Sequence, residues 1–192
     1  NFPGKSKKDI EYHYDIGGEK GEKLYDIFLD INHRQYSCAY WKNETKTLEE
    51  AQQNKINHII KKLDIKKGNK ILEVGCGWGG MAFEIAKQTG CNVTGISLSA
   101  NQIKYCNEKA KKNGLENLVK FQLIDYRKVS GNFDRIYSVG MFEHVGKKFY
   151  NSFFKSINEL LKDDGIFLLH TIGSVARPTP PNKFTNKYIF PG

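Results

Sequence analysis

The chain lacks any apolar run of the roughly 18 to 20 residues that a membrane-crossing helix needs. Its start is also not a secretory leader, since Asn1 to Lys8 is polar and basic with no apolar stretch behind it. Cysteine is scarce and scattered. Cys38, Cys76, Cys91 and Cys106 form no Cys-x-x-Cys pair and have no His at metal-ligand spacing, which excludes a zinc finger and a disulfide framework. These absences predict reduced thiols in a cytoplasmic protein. The first residue is Asn rather than Met, so the sequence reads as beginning inside a longer protein. Internal repeats and low-complexity tracts are missing as well. Acidic residues are outnumbered, 21 Asp and Glu against 30 Lys and Arg, for a net charge of +9. That excess favours an anionic partner, nucleic acid or an acidic membrane surface. It has an equally available bland explanation, because the excess is mostly Lys spread through a chain also rich in Asn and Ile.

What is present suits one domain, since 192 residues can bury a core without staples. Residues 1–46 read as an aromatic-rich cap of short helices and loops, residues 47–173 as an α/β core, and residues 174–192 as loop. Thr47-Leu48-Glu49-Glu50 has the form of a capping box, and Leu48, Ala51, Ile56, Ile59, Ile60 and Leu63 then form a helical stripe. From Lys70 the pattern alternates. Strands are predicted at Lys70–Val74, Asn92–Ile96, Val119–Leu123, Arg135–Val139 and Ile166–His170. Helices are predicted between them, one ending near Gly90, one running from a box-like Ser99 to Gln102 start to Gly114, and one near Lys147–Leu161. Strands alternating with helices imply a doubly wound, mostly parallel sheet covered on both faces.

The text Glu73-Val74-Gly75-Cys76-Gly77-Trp78-Gly79-Gly80 takes a strand into a glycine turn and then a helix, so a ligand can approach the backbone closely. It satisfies the dinucleotide fingerprint through Gly75, Gly77 and Gly80. Its neighbours point elsewhere. Glu73 would repel a pyrophosphate but suits the methionine ammonium of S-adenosylmethionine. The second strand ends in Ile96-Ser97-Leu98, with no acid for an NAD ribose. Asp125, with Tyr126, follows the third strand, where it is placed to accept from an adenine amino group or to serve as a plain turn residue. Glu143 and His144 follow the fourth strand and His170 ends the fifth, so groups able to move protons converge on the same edge. Tyr36-Ser37-Cys38-Ala39-Tyr40-Trp41 reads as a lid on the core or as a wall of a substrate pocket, and the residue types do not separate the two.

Together these pieces resemble the cyclopropane-fatty-acyl-phospholipid synthase family, which includes the mycolic acid cyclopropane synthases. The matching strings are His13 to Gly17, Tyr36 to Tyr40, Thr47 to Gln52, the glycine loop, Gly140 to Gly146, Leu168 to Gly173 and Lys187 to Gly192. The resemblance implies a methyltransferase fold and S-adenosylmethionine held by Tyr36, Ser37, Glu73, Gly75, Cys76, Gly77, Trp78, Gly79, Ser97, Gln102, Tyr126 and Arg127, to which the position after the third strand adds Asp125. It implies a bicarbonate ion held by Cys38, Glu143, His170 and Ile172, and aromatic faces such as Tyr14, Tyr36 or Phe142 beside a cation on the lipid. The implied substrate is an unsaturated phospholipid acyl chain, reached by peripheral contact with an anionic membrane. Family members continue beyond the point where this sequence stops, so it reads as a fragment lacking the last strands. The competing expectations are a lipid methyltransferase that makes branched chains, a small-molecule N-methyltransferase, and a module that binds the cofactor without catalysis. A nucleic-acid partner is not expected, as no RNA-binding module or Asn-Pro-Pro-Tyr-like motif is present.

Overall fold

The computed structural model describes residues 21–173, 182–184 and 187. The His13 to Gly17 string, with Tyr14, lies outside the described residues, as do the basic start from Asn1 to Lys8 and the Lys187 to Gly192 string beyond Lys187. Helix α1, Gly21–Phe28, precedes an irregular segment. Helix α2, Leu48–Leu63, starts where expected: Thr47 Oγ1 accepts from Glu50 N. The return arm of the box lands one residue early, with Glu50 Oε2 accepting from Lys46 N at 2.7 Å. Asp64 ends the helix in a left-handed conformation, φ 45°.

Five parallel strands follow in the order β3-β2-β1-β4-β5. They are β1 Lys70–Val74, β2 Asn92–Ser97, β3 Val119–Leu123, β4 Phe133–Val139 and β5 Leu161–His170. The β5 strand begins five residues before the predicted Ile166, across the polar Lys162 to Gly165 stretch. Leu161 pairs with Phe133, and a register irregularity between Phe133 and Arg135 takes up the mismatch. The chain reverses its direction of travel across the sheet between β1 and β4, which is where α/β sheets open a crevice at their carboxyl ends.

Alternation along each strand feeds two cores. Ile71 and Tyr137 pack with Ile56, Ile59 and Leu63 of α2, with helix α3 (Gly80–Thr89), and with Ile103 and Cys106 of helix α4 (Ala100–Lys112). Leu72, Val74 and Ile136 face the other way, onto Phe153, Ile157 and Leu160 of helix α5, Tyr150–Leu160. The predicted start of that last helix, Lys147, falls instead in a short 3-10 turn, Lys147–Phe149. Glu73 has the same parity as Ile71, so it points into the α2 layer rather than the α5 layer.

Candidate active site

The glycine loop connects β1 to α3. Gly75 has φ 89°, and a Cβ there would stand 2.7 Å from that of Met141, so both backbone and space demand glycine. At Gly80 a Cβ would fall 1.8 Å from the carbonyl oxygen of His33. That close approach lets residues 33–37 lie over the start of α3. Asp30 shapes the segment, accepting from His33 N and Gln35 N at 2.7 Å each. Burial pushes the Asp30 carboxyl up, but the hydrogen bonds from His33 and Gln35 outweigh it and hold it below the usual range.

Two adjoining cavities open at this end of the sheet. The first is lined by residues 34–37, Glu73 to Trp78, Ile96 to Leu98, Gln102, Ile124 to Arg127 and Val139 to Met141, with His144, Val145 and Phe149. Every residue predicted to hold the cofactor lines it except Gly79, whose open side faces Cys106, Phe121 and Phe83. The second is lined by Phe28, Leu29, Gln35 to Ala39, Trp41, Leu48, Gln52, Gly140, Glu143, His144, His170 and Ile172. Gln35, Tyr36, Ser37, Gly140 and His144 belong to both. The Tyr36 segment is thus a wall, shared by two chambers.

Inside the first cavity Glu73 is 4 % exposed, and its Oε2 has no hydrogen-bond partner. Burial pushes its carboxyl up to about 8, against the hydrogen-bonding pull of Tyr137 and the charge of Lys55. A cation arriving beside it would favour ionisation, whereas a pyrophosphate would oppose it. Gln102 departs from the expected capping box. Ser99 Oγ does accept from Gln102 N, but the Gln102 side chain takes a hydrogen bond from Ser97 Oγ at 2.9 Å and leaves Nε2 without a partner. An orphaned acceptor and an orphaned donor therefore flank the glycine loop, matching an ammonium at one end and a ribose oxygen at the other. Asp125 caps the 3-10 turn Tyr126–Lys128, and both of its oxygens engage Arg127. Burial pushes Asp125 up and the Arg127 bonds bring it below the ordinary value. Its plain turn role is realised, and it still faces the cavity.

In the second cavity the structure brings Cys38, Glu143, His170 and Ile172 together. Glu143 Oε1 accepts from Ile172 N at 2.6 Å, while Glu143 Oε2 and His170 Nδ1 are buried without partners. A small oxyacid ion fits that pair, because it can donate its proton to the carboxylate and accept from a ring N–H. Sequence reasoning missed Arg34, Gln52 and Lys55. Arg34 is held at φ 52° with its guanidinium 4.4 Å from the Trp78 ring centroid, and no sequence pattern announces it. Lys55 did leave a signal, a charged residue on the apolar stripe one turn after Ala51.

The sheet order, the glycine loop at its reversal and the acid before that loop define the doubly wound fold of S-adenosylmethionine-dependent methyltransferases. Within that class the chain belongs to the family described as mycolic acid cyclopropane synthetase, whose family model matches residues 3–192. It is 45% identical over 179 residues to the cyclopropane-fatty-acyl-phospholipid synthase of Escherichia coli strain K12, covering 93% of this chain and 44% of that protein. The chain thus spans less than half the length of that relative. Among solved structures, the cyclopropane synthase MmaA2 from Mycobacterium tuberculosis superposes with a TM-score of 0.86 at 32% identity, over 96% of this chain and 68% of that one. Mycolic acid cyclopropane synthase CmaA1, complexed with SAH and CTAB, gives a TM-score of 0.79 at 33% identity, over 85% and 55%.

Proposed function

We propose that the protein containing this chain transfers a methylene group from S-adenosylmethionine to the double bond of an unsaturated phospholipid acyl chain, closing a cyclopropane ring. The observation that carries the reading is the shared wall. One chamber offers an acceptor and a donor suited to the methyl donor, and the other is apolar at its rim with proton-handling groups at its floor. S-adenosylmethionine would supply an electrophilic methyl, held by Glu73, Gln102, the glycine loop and the Tyr36-Ser37 wall. The chain's own task is alignment, since an alkene is a weak nucleophile and must meet the methyl in line. Tyr36, which lines both cavities, would offer an aromatic face to positive charge on the lipid. Phe142, expected to share that task, lines neither cavity, because it is buried in the α5 layer against Tyr150, Phe153 and Phe154. Bicarbonate would supply a base between Cys38, Glu143, His170 and the backbone of Ile172. Water must be kept out while one proton leaves the added methyl, and because Cys38 and Ile172 are themselves exposed, the acyl chain would have to cover them.

Peripheral membrane contact belongs to the same reading. Phe28, Trp41 and Ile172 rim the second cavity at 48, 55 and 70 % exposure. Among the described residues, no helix is long and apolar enough to cross a membrane. The deciding experiment supplies the full-length protein with methyl-labelled S-adenosylmethionine and unsaturated phospholipid vesicles. Mass spectrometry should show a gain of one CH2, with loss of the vinylic proton signals in NMR. A methylated amine in place of that product would overturn the lipid assignment, and a branched saturated or hydroxylated chain would overturn ring closure.

A further inference from the structure

Resting on the reading of the first cavity as the methyl donor's site, we propose that Lys55 is a positioning residue. Its ammonium fastens Ser37, and with it the wall between the two cavities, and places a positive charge behind Glu73. The argument begins on α2. Lys55 is 3 % exposed and lies on the buried stripe between Gln52 and Ile59. Its Nζ donates to Ser37 Oγ at 2.7 Å, the only hydrogen bond it makes among the described residues. One turn earlier, Gln52 Nε2 donates to the carbonyls of Ser37 at 3.0 Å and Gln35 at 3.4 Å. On the opposite side the wall rests on Gly140, where a Cβ would be 3.5 Å from that of Ser37. Residues 35–37 are therefore clamped between α2 and the end of β4.

A methionine would fill the Lys55 position without the cost of a buried charge. What the charge adds is visible in its surroundings. Asp30 lies before the wall, Cys38 at its end and Glu73 across from it, and each favours the protonated ammonium. Glu73 in turn feels Lys55 from α2, Tyr137 from β4 and Cys76 from the glycine loop. Burial brings Lys55 down to about 8, and its charge opposes the burial that raises Glu73. The lysine thus lowers the effort of ionising Glu73 when the donor's ammonium arrives.

The test is calorimetric binding of S-adenosylhomocysteine to the full-length protein across pH, with steady-state turnover alongside. Affinity of the wild type should rise with pH and level off near 8, where Glu73 has ionised and Lys55 begins to lose its own charge. Lys55→Met should weaken binding about tenfold at pH 7 and move the levelling point up by about one pH unit, with kcat also lowered. Lys55→Arg should restore the levelling point, and Ser37→Ala should lower kcat without moving it. A folded Lys55→Met protein with an unchanged levelling point would overturn the proposal. So would an equal loss at every pH, which marks a purely structural role. If Lys55→Met does not fold, an unchanged kcat in Ser37→Ala or a displaced levelling point in Lys55→Arg overturns it instead. Failure of the wild type to bind the nucleoside would sink the functional reading as well, whereas wild-type binding with an indifferent Lys55→Met sinks this inference alone.

Discussion

Glu73 pits stability against binding. Its carboxyl value is about 8 in the folded chain against 4.5 for an ordinary glutamate, so the folded state keeps a proton that the unfolded state gives up in between. Folding is favoured by that retained proton below about 4.5, and the advantage is lost as pH climbs towards 8. Glu73→Gln should therefore leave thermal stability of the cofactor-free protein nearly unchanged at pH 5 and raise it progressively up to pH 8. The same change should weaken S-adenosylmethionine binding by about 1.5 to 3 kcal/mol, or roughly tenfold to a hundredfold. Melting curves and calorimetry on one pair of proteins read both effects, and a stability gain equal at pH 5 and pH 8 would contradict the assignment. Glu143→Gln and His170→Ala should behave oppositely, crippling turnover while leaving cofactor affinity nearly intact, because both line only the second cavity. Loss of cofactor binding with a normal rate at saturation would show that these two groups had been given the wrong task.

At the scale of elements, the start of α3 is the joint that holds the cap to the core. Gly80→Ala would drive a methyl into the His33 carbonyl, which is backbone and cannot swing aside. The cost should be about 1 to 3 kcal/mol of stability. Because residues 34–37 hang from that contact, cofactor affinity should fall too. An alanine variant with wild-type melting and affinity would mean that the cap does not depend on this contact. Strands β1 and β3 were legible to the residue, β1 because its apolar residues stop at the glycine loop, and β3 because Val119, Phe121 and Leu123 alternate with Lys120 and Gln122. The early start of β5 was not, since Lys162-Asp163-Asp164-Gly165 has no strand character and is recruited by pairing with β4. Both capping boxes were half legible. Ser and Thr caps depend on local chain geometry, whereas the returning Glu50 and Gln102 side chains answered to Lys46 and Ser97. The glycine loop and the two proton-handling groups showed in the text because their residue types are unusual there. Lys55 showed only as a charged residue on the apolar stripe of α2, which the residue type alone reads as a solvated lysine, and three-dimensional packing turns it inward.

The chain carries a net charge of +9 alongside an apolar cavity mouth, so the proposed membrane contact would have an electrostatic and a hydrophobic part acting at different ranges. A lysine close to an anionic leaflet contributes about 1 kcal/mol, screened within roughly 10 Å at 0.1 M salt. Cosedimentation with vesicles should rise with the fraction of anionic lipid and fall steeply with added salt. Equal binding to neutral and anionic vesicles, flat across salt, would leave Phe28, Trp41 and Ile172 as the means of contact and the net charge as a compositional accident.

The common wall of the two cavities has a thermodynamic consequence. Whatever free energy one guest spends on ordering Tyr36 and Ser37 further than their hydrogen bonds to α2 already do need not be spent again by the other. Equilibrium linkage makes such help reciprocal, so an acyl chain that tightens the nucleoside by some factor must itself be tightened by that same factor. Selection for a differently shaped lipid would then be felt in the grip on the methyl donor, and neither affinity could drift alone.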